Sequence, residues 1–342
     1  MPFLWHVEEG NLSTFLAHPD MVRLVDILRG MGVPLPDLIE DIQQDGSLPF
    51  MRWLVQETTA SLQAELSEDD SPGIILSTHR DIVCDPSLYN LARVEAGRPT
   101  THIVLGTNLA EKPWIRQLMA RNKALFIDRN LVGRAALLQQ KQLSEDIAEV
   151  VRGGGHVWIA QSPGRAKDGV DRTHPGLLRM LGLAWGGEEK GAQALSGLLR
   201  PLAIRYDVNP CDAMLVKEKL TGTKAVTDDE VSMRDGLLGW KGHVRMSEGA
   251  PLELSCLEGK GSWAEAAAQM DHGMRGLSAQ GQWADAAFQC LDTPAHPIQG
   301  DAFHARWDQC RRQLESWRVA FQAEEARRCF AEVYREEISA SI

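Results

Sequence analysis

The sequence GIILSTHRDIVCDP at residues 73–86 contains the feature that decides the fold. It opens with a short apolar run after a turn, a pattern typical of a buried β-strand. His79 follows that strand directly, and Asp81 and Asp85 follow the histidine two and six residues later. In open α/β sheets, functional side chains collect beyond the carboxyl ends of the strands. The stretch therefore predicts a buried strand that presents a histidine and two carboxylates at its functional end.

Working outward from this strand, β and α patterns alternate along the chain. A helical pattern at residues 131–151 ends at a run of three glycines, which is a C-terminal signal for a helix. The alternation predicts an α/β fold with a mixed, largely parallel central sheet flanked by helices. The predicted strands are residues 73–78, 101–106, 124–128, 156–161, 200–206 and 243–247.

Composition divides the chain into three regions. Residues 1–70 have a helical, polar-mixed pattern and predict a helical N-terminal extension that ends at an acidic turn. Residues 71–252 hold the strands of the predicted α/β core. Beyond them the strand signals stop, and amphipathic patterns predict a helical C-terminal region at residues 253–342.

Bulk properties exclude several classes of function. The net charge of -11 argues against a nucleic-acid binder, whose affinity rests on neutralising phosphates. The six cysteines include no Cys-x-x-Cys, so reduced thiols in a cytosolic protein are expected. The start of the chain lacks the pattern of a signal peptide. The same net charge opposes wholesale adsorption to an anionic membrane, so any membrane contact is expected to be local. No stretch approaches the roughly 20 apolar residues that a membrane-spanning helix needs.

A histidine with a nearby carboxylate can act as a general base, because the carboxylate fixes the ring tautomer and stabilises the imidazolium. Both aspartates are candidates for this partner of His79. Asp85 precedes Pro86 and a helical pattern, so a helix N-cap is its alternative role. A nucleophilic role for Cys84 lacks an orienting third group. The chain also has no Gly-x-Ser-x-Gly and no His/Cys cluster with metal-ligand spacing.

Two further blocks carry basic residues at strand ends. Residues 112–134 contain six Lys or Arg and a single acid, and Arg129 follows a predicted strand. Arginine suits a phosphate because its planar fork donates two parallel hydrogen bonds. The second block, WIAQSPGRAKDG at residues 158–169, runs from a strand into a glycine turn, where backbone amides can bind an anion. A solvated helix face and an ordinary loop are the alternative interpretations.

Together with the apolar stretch that begins at Pro201, these blocks resemble the glycerolipid acyltransferase family, of the lysophosphatidate acyltransferase type, over residues 70–250. The histidine–aspartate motif of that family corresponds to the stretch that begins at His79. Its Phe-x-x-Arg block corresponds to residues 126–129, and its Glu-Gly block corresponds to residues 163–165.

The sequence departs from the family pattern in two places. The family spacing is His-x4-Asp, whereas here Cys84 occupies the aspartate position and Asp85 lies one residue later. The glutamate that helps to hold the acyl acceptor in the family falls at Pro163, which has neither a charge nor an N–H.

The resemblance implies an O-acyltransferase of phospholipid biosynthesis. It would move a fatty acyl group from acyl-CoA or acyl-ACP to a hydroxyl of a lysophospholipid, with 1-acylglycerol 3-phosphate as the leading acceptor. His79 would be the base, with Asp85 or Asp81 as its partner. No metal or other cofactor is expected, because the thioester is already activated. The residues implied in substrate binding are Arg80, Arg129, Gly164, Arg165 and Lys167.

Substrates that are partly lipid imply a membrane partner. We expect a cytoplasmic protein that associates peripherally with the inner face of the cell membrane. Candidate interfacial anchors are Trp53, Trp240, Trp263 and Trp317, for which core packing is the alternative. Because of Pro163, two other functions stay open. They are O-acylation of a lyso-aminolipid and lipid binding without catalysis.

Overall fold

The computed structural model describes residues 48–110, 116, 119–120, 122–225, 227–255, 262–277 and 300–334. At residues 49, 188, 189 and 300 it describes the backbone alone. Most of the predicted N-terminal extension, up to residue 47, lies outside the described residues. Lys112 and Arg121 of the basic block lie outside them as well.

A seven-stranded sheet forms the centre of the described residues, in the order β1-β7-β6-β2-β5-β3-β4. The five strands from β6 to β4 run parallel, β7 is antiparallel to β6, and β1 is parallel to β7. This topology confirms the predicted mixed, largely parallel α/β sheet. The strands are β1 Ser61–Glu65, β2 Gly73–Ser77, β3 His102–Gly106, β4 Ala124–Ile127, β5 His156–Ala160, β6 Leu199–Tyr206 and β7 His243–Glu248.

Helices flank the sheet on both faces, and the described part of the chain also has two short 3-10 helices, at Thr107–Ala110 and Leu183–Trp185. The α-helices of the described residues are α1 Leu48–Thr58, α2 Cys84–Glu95, α3 Gly133–Arg152, α4 Pro175–Gly182, α5 Gly187–Ala194, α6 Asp212–Thr221, α7 Asp228–Leu238, α8 Trp263–Leu277, α9 Gly300–Ser316 and α10 Ala323–Tyr334.

Strand β2 is buried along its whole length, because helices cover both faces of the sheet at its centre. Successive side chains of a strand point to opposite faces. Ile74 and Leu76 accordingly pack in a cluster that includes Ile147 of α3, whereas Ile75 packs with Leu88 of α2 on the other face. This continuous burial explains why the GIIL run identified the strand.

Strand β1 is present in the structure but was not among the strands predicted from the sequence. Ser61–Glu65 is an edge strand whose last three residues are exposed, so it lacks the apolar pattern of the buried strands. It pairs with β7 in the register Ser61↔His243. The sheet therefore begins inside the region predicted as a helical N-terminal extension, and α1 is the described part of that region that is helical.

The described C-terminal residues are helical, as predicted, but they pack in two places. Met270 and Met274 of α8 belong to the apolar cluster on one face of the sheet. Helices α9 and α10 pack on α6 through a separate cluster that contains Phe303 and Phe330. The predicted division at residue 252 therefore separates α8 from a core in which it participates.

Candidate active site

The loop between β2 and α2 brings His79 and Asp85 together. His79 Nδ1 lies 3.1 Å from Asp85 Oδ2, and the Asp85 side chain is fully buried in the first turn of α2. A neutral imidazole that donates its Nδ1–H to this carboxylate leaves Nε2 as the proton acceptor. His79 lines a cavity, so it can meet a ligand there.

Three other donors hold the Asp85 carboxylate in place. Its Oδ2 accepts the backbone N–H groups of Arg80 at 2.7 Å and Asp81 at 3.0 Å. Its Oδ1 accepts the hydroxyl of Tyr206 at 2.9 Å. Both oxygens are therefore oriented by the protein, and the orientation of the imidazole follows from them.

Asp81, the other candidate partner, has a different place. Its Oδ1 accepts the backbone N–H groups of Val83 at 2.8 Å and Cys84 at 2.6 Å, at the start of α2. These contacts satisfy amides that have no partner inside the helix. The extra residue between His79 and Asp85 is accommodated because the loop turns back on the first turn of α2.

Cys84 is buried under the loop and does not face the cavity. Its thiol donates to the carbonyl of Gly236 at 3.3 Å. Burial, together with the Asp81 carboxylate, raises the pKa of the Cys84 thiol well above its usual value. Because the thiolate is the nucleophilic form of cysteine, this environment argues against a Cys–His nucleophile.

Tyr206 is a site residue that sequence reasoning missed. It is the last residue of β6, which lies next to β2 in the sheet. Burial and the neighbouring Asp85 carboxylate raise the pKa of the Tyr206 phenol well above its usual value, so the hydroxyl keeps the proton that it donates. The signal was a tyrosine at a predicted strand end, but only the strand order places that end beside His79.

The glycine turn after β5 lies against the histidine loop. The amide of Gln161 donates to the carbonyl of Ser77 at 2.9 Å, and the amide of Ala166 donates to the carbonyl of His79 at 3.2 Å. A cavity of about 650 Å³ lies between His79 and this turn. Its basic lining consists of His79, Arg165, Lys167, Arg172, His174 and Lys219.

Three of the predicted binding residues, Gly164, Arg165 and Lys167, lie on the turn that lines this cavity. Lys167 is 41% exposed and also contacts Glu218 Oε2 at 2.9 Å. Arg165 is buried and donates to Glu218 Oε1 at 3.3 Å and to Ser232 Oγ at 3.0 Å. Lys167 is therefore the more accessible cation of the two.

The two other predicted arginines are not among the cavity-lining residues. Arg129, which follows β4, is exposed and donates to the carbonyl of Pro163 in the turn. Arg80 is buried and forms an ion pair with Asp171, which also contacts Arg205 at 3.3 Å. Arg80 thus braces the loop beside the cavity, because its Nη2 is paired with Asp171.

Comparison with protein families agrees with this site. Residues 54–186 match the family model described as Acyltransferase. The match includes His79, Asp85, Arg129 and the turn after β5. Residues 54–186 are less than half of the chain, and over them the chain is similar to the Acyltransferase family; the site and this match support an acyltransferase enzyme. The family resemblance read from the sequence is confirmed.

Among solved structures, the chain is similar to a 1-acyl-sn-glycerophosphate (LPA) acyltransferase, PlsC, from Thermotoga maritima. The identity is 12% and the TM-score 0.43, over 75% of this chain and 89% of that chain. A likeness at this level assigns neither a substrate nor a mechanism to this chain. The comparison with curated proteins gave no match.

Proposed function

We propose that this acyltransferase moves a fatty acyl group from a thioester carrier, acyl-CoA or acyl-ACP, to the free hydroxyl of a lysophospholipid of the 1-acylglycerol 3-phosphate type. The observation that carries the proposal is His79, which is oriented by Asp85 and lines a cavity with a basic wall. A hydroxyl that bears a phosphate elsewhere in the molecule matches both features. No cofactor besides the thioester co-substrate takes part.

The proposed reaction is a direct transfer. His79 Nε2 takes the proton of the acceptor hydroxyl while the hydroxyl oxygen attacks the thioester carbonyl. The tetrahedral intermediate then collapses, the C–S bond breaks, and the imidazolium returns its proton to the carrier thiolate. Asp85 stabilises the imidazolium between these steps. General-base assistance of this kind contributes roughly 10²- to 10⁴-fold in rate.

The basic wall of the cavity supports a phosphorylated acceptor. Lys167, Arg172 and Lys219 line the cavity together with His79, and so do Asp168 and Asp171. The three cations pair with Glu218, Asp168 and Glu332 respectively, so a phosphate would share them with these carboxylates. A cleft lined mainly by one sign of charge concentrates ligands of the opposite sign. Pro163 stands where the resembled family has a glutamate, and a carboxylate reaches this turn from Glu218 of α6 instead.

The test is thiol release from a long-chain acyl-CoA, and then from acyl-ACP, by the purified protein. The acceptors are glycerol 3-phosphate, 1-acylglycerol 3-phosphate and a lyso-aminolipid, offered in turn. We expect release that depends on 1-acylglycerol 3-phosphate. Release that depends on the lyso-aminolipid alone would change the acceptor. If neither donor gave release with any acceptor, the catalytic proposal would fail and lipid binding without turnover would replace it.

The partner of His79 can be tested with two matched substitutions. Asp85→Asn is expected to lower kcat by roughly 10²-fold or more, because an amide cannot stabilise the imidazolium as a carboxylate does. Asp81→Asn keeps an oxygen for the two amides that Asp81 accepts and is expected to change kcat by less than about fivefold. Steady-state kinetics with a check of thermal stability measures both. Equal losses in the two variants would contradict the assignment.

The role of Lys167 can be tested through the affinity for the acceptor. Lys167→Ala is expected to raise KM for the phosphorylated acceptor about tenfold, equivalent to about 1.4 kcal/mol, with little change in KM for the thioester. Lys224→Ala is the control, because Lys224 is 43% exposed and ion-paired to Asp229 but does not line the cavity. A KM change for the thioester alone would place the donor, not the acceptor, at Lys167.

In the described residues, no helix has the length and apolar character to cross a bilayer. Because both proposed substrates are partly lipid, we propose that the enzyme works at the inner face of the cell membrane as a peripheral, cytoplasmic protein. Of the tryptophans considered as anchors, Trp53, Trp263 and Trp317 are partly buried against apolar clusters, whereas Trp240 is exposed.

A further inference from the structure

Exposed apolar side chains are concentrated at one place in the described residues. Five large apolar side chains are exposed in the described residues, and four of these lie together within eight consecutive residues. They form what we call the α3 patch, which consists of Leu131 (37% exposed), Val132 (81%), Leu137 (62%) and Leu138 (59%). The fifth, Trp240, is 53% exposed and lies between α7 and β7.

The core does not account for the α3 patch. Helix α3 packs on the sheet through Leu143, Ile147 and Val151, which lie in its C-terminal half. Leu137 and Leu138 lie three and four residues after Arg134, so all three side chains share one face of the helix. Exposed leucines beside an exposed arginine favour a partner with an apolar interior, which the leucines can enter, and an anionic surface, which the arginine can contact.

The surrounding charge is locally opposite to that of the whole chain. Arg129 and Arg134 flank Leu131 and Val132, and both arginines are exposed. Asp128, the acid nearest in sequence, accepts the backbone amide of Asn130 at 2.9 Å, and Asp229 of α7 is an acid near Arg129 in space. In a chain of net charge -11, this stretch is a local basic and apolar surface. That combination is typical of segments that bind anionic lipid surfaces.

The α3 patch and the candidate active site both lie beyond the carboxyl ends of the strands, at the same edge of the sheet. Strands β2 and β4 both run parallel to the strands between them, so the residues that follow each strand lie at one edge of the sheet. Arg129, next to the patch, contacts the carbonyl of Pro163 in the turn that lines the cavity. A lipid surface at the patch would therefore lie beside the turn at which the acceptor is proposed to bind.

We propose that the α3 patch docks the enzyme on an anionic phospholipid bilayer and so delivers the lysophospholipid acceptor to the cavity. The inference rests on the proposed function for the nature of the acceptor. It names a membrane surface that differs from the tryptophans considered as anchors.

The experiment is co-sedimentation of the full chain with vesicles of phosphatidylcholine alone or with one quarter phosphatidylglycerol. We expect stronger binding to the anionic vesicles. Leu137→Glu combined with Leu138→Glu is expected to weaken that binding at least tenfold, because apolar area is lost and like charge is introduced. Trp240→Glu is the matched control and is expected to leave binding within twofold. Because these side chains are exposed, all variants should fold normally.

Activity separates this proposal from the proposed function. The double variant should keep the turnover of the unmodified enzyme on a water-soluble short-chain acceptor and lose it on an acceptor embedded in vesicles. Unchanged vesicle binding by the double variant, or equal binding to both vesicle types, would overturn the proposal. A dimer that becomes a monomer in the double variant, with vesicle binding intact, would make the patch a protein interface instead. Absence of turnover on the soluble acceptor would count against the proposed function alone.

Discussion

His79→Ala is expected to lower kcat for acyl transfer by roughly 10²- to 10⁴-fold, the contribution of a positioned general base. The loss should be large because the Asp85 carboxylate is fully buried and cannot reach a substrate in place of the imidazole. The measurement is acceptor-dependent thiol release under saturating acyl donor. KM for the acceptor should change little, because the cationic wall of the cavity is untouched.

The matched control for this variant is His174→Ala. His174 also lines the cavity but is exposed next to the start of α4. We expect it to change kcat by less than about fivefold, since it is not oriented as a base by a buried carboxylate as His79 is. If the two variants lost activity equally, or if His79→Ala kept most of its turnover, His79 would not be the base.

Asp212→Ala is expected to lower the free energy of unfolding by about 3–5 kcal/mol, the usual cost of removing one partner of a buried ion pair. Asp212 is fully buried at the start of α6 and accepts two hydrogen bonds from Arg306, both at 2.8 Å. It also accepts the hydroxyl of Tyr334 at 2.6 Å. Burial opposes the charge on Arg306, but Asp212 outweighs it, so the pKa of that guanidinium lies above its usual value.

Urea denaturation of the full chain measures this effect. Glu315→Ala is the control on the same helix as Arg306, because its pair with Arg311 is exposed and should contribute no more than about 1 kcal/mol. Equal, small losses in both variants would contradict the proposed importance of Asp212. Helix α6 also carries Lys219, which pairs with Glu332 of α10 and lines the cavity. Loosening of the C-terminal helices should therefore also raise KM for the acceptor.

Much of the fold could be predicted because its signals are local. Central strands covered on both faces are apolar along their length, as in β2, and the glycines after α3 mark the end of that helix. The edge strand β1 escaped prediction for the complementary reason. Its exposed side chains carry no apolar pattern, and its stability comes from pairing with β7, 182 residues away at Ser61↔His243.

In the candidate site, too, one part could be predicted from local sequence and the rest depended on distant segments. His79 could be identified because a histidine at a strand exit with carboxylates nearby is a short-range pattern. The choice between Asp81 and Asp85 depended on where the first turn of α2 directs each carboxylate. Arg80 and Arg165 are held in place by ion pairs with Asp171 and Glu218, which are distant from them in sequence.

The sequence by itself determined the class of fold, the positions of the buried strands and the place of His79 at the end of one of them. These features depend on periodicity and strand ends, which are properties of neighbouring residues. Only the tertiary structure decided that Asp85 holds the ring, that Tyr206 holds Asp85, and that the α3 patch is exposed. These contacts depend on the order of strands in the sheet and on which helix face the core covers. Both are set by packing among segments far apart in the chain, which no local pattern records.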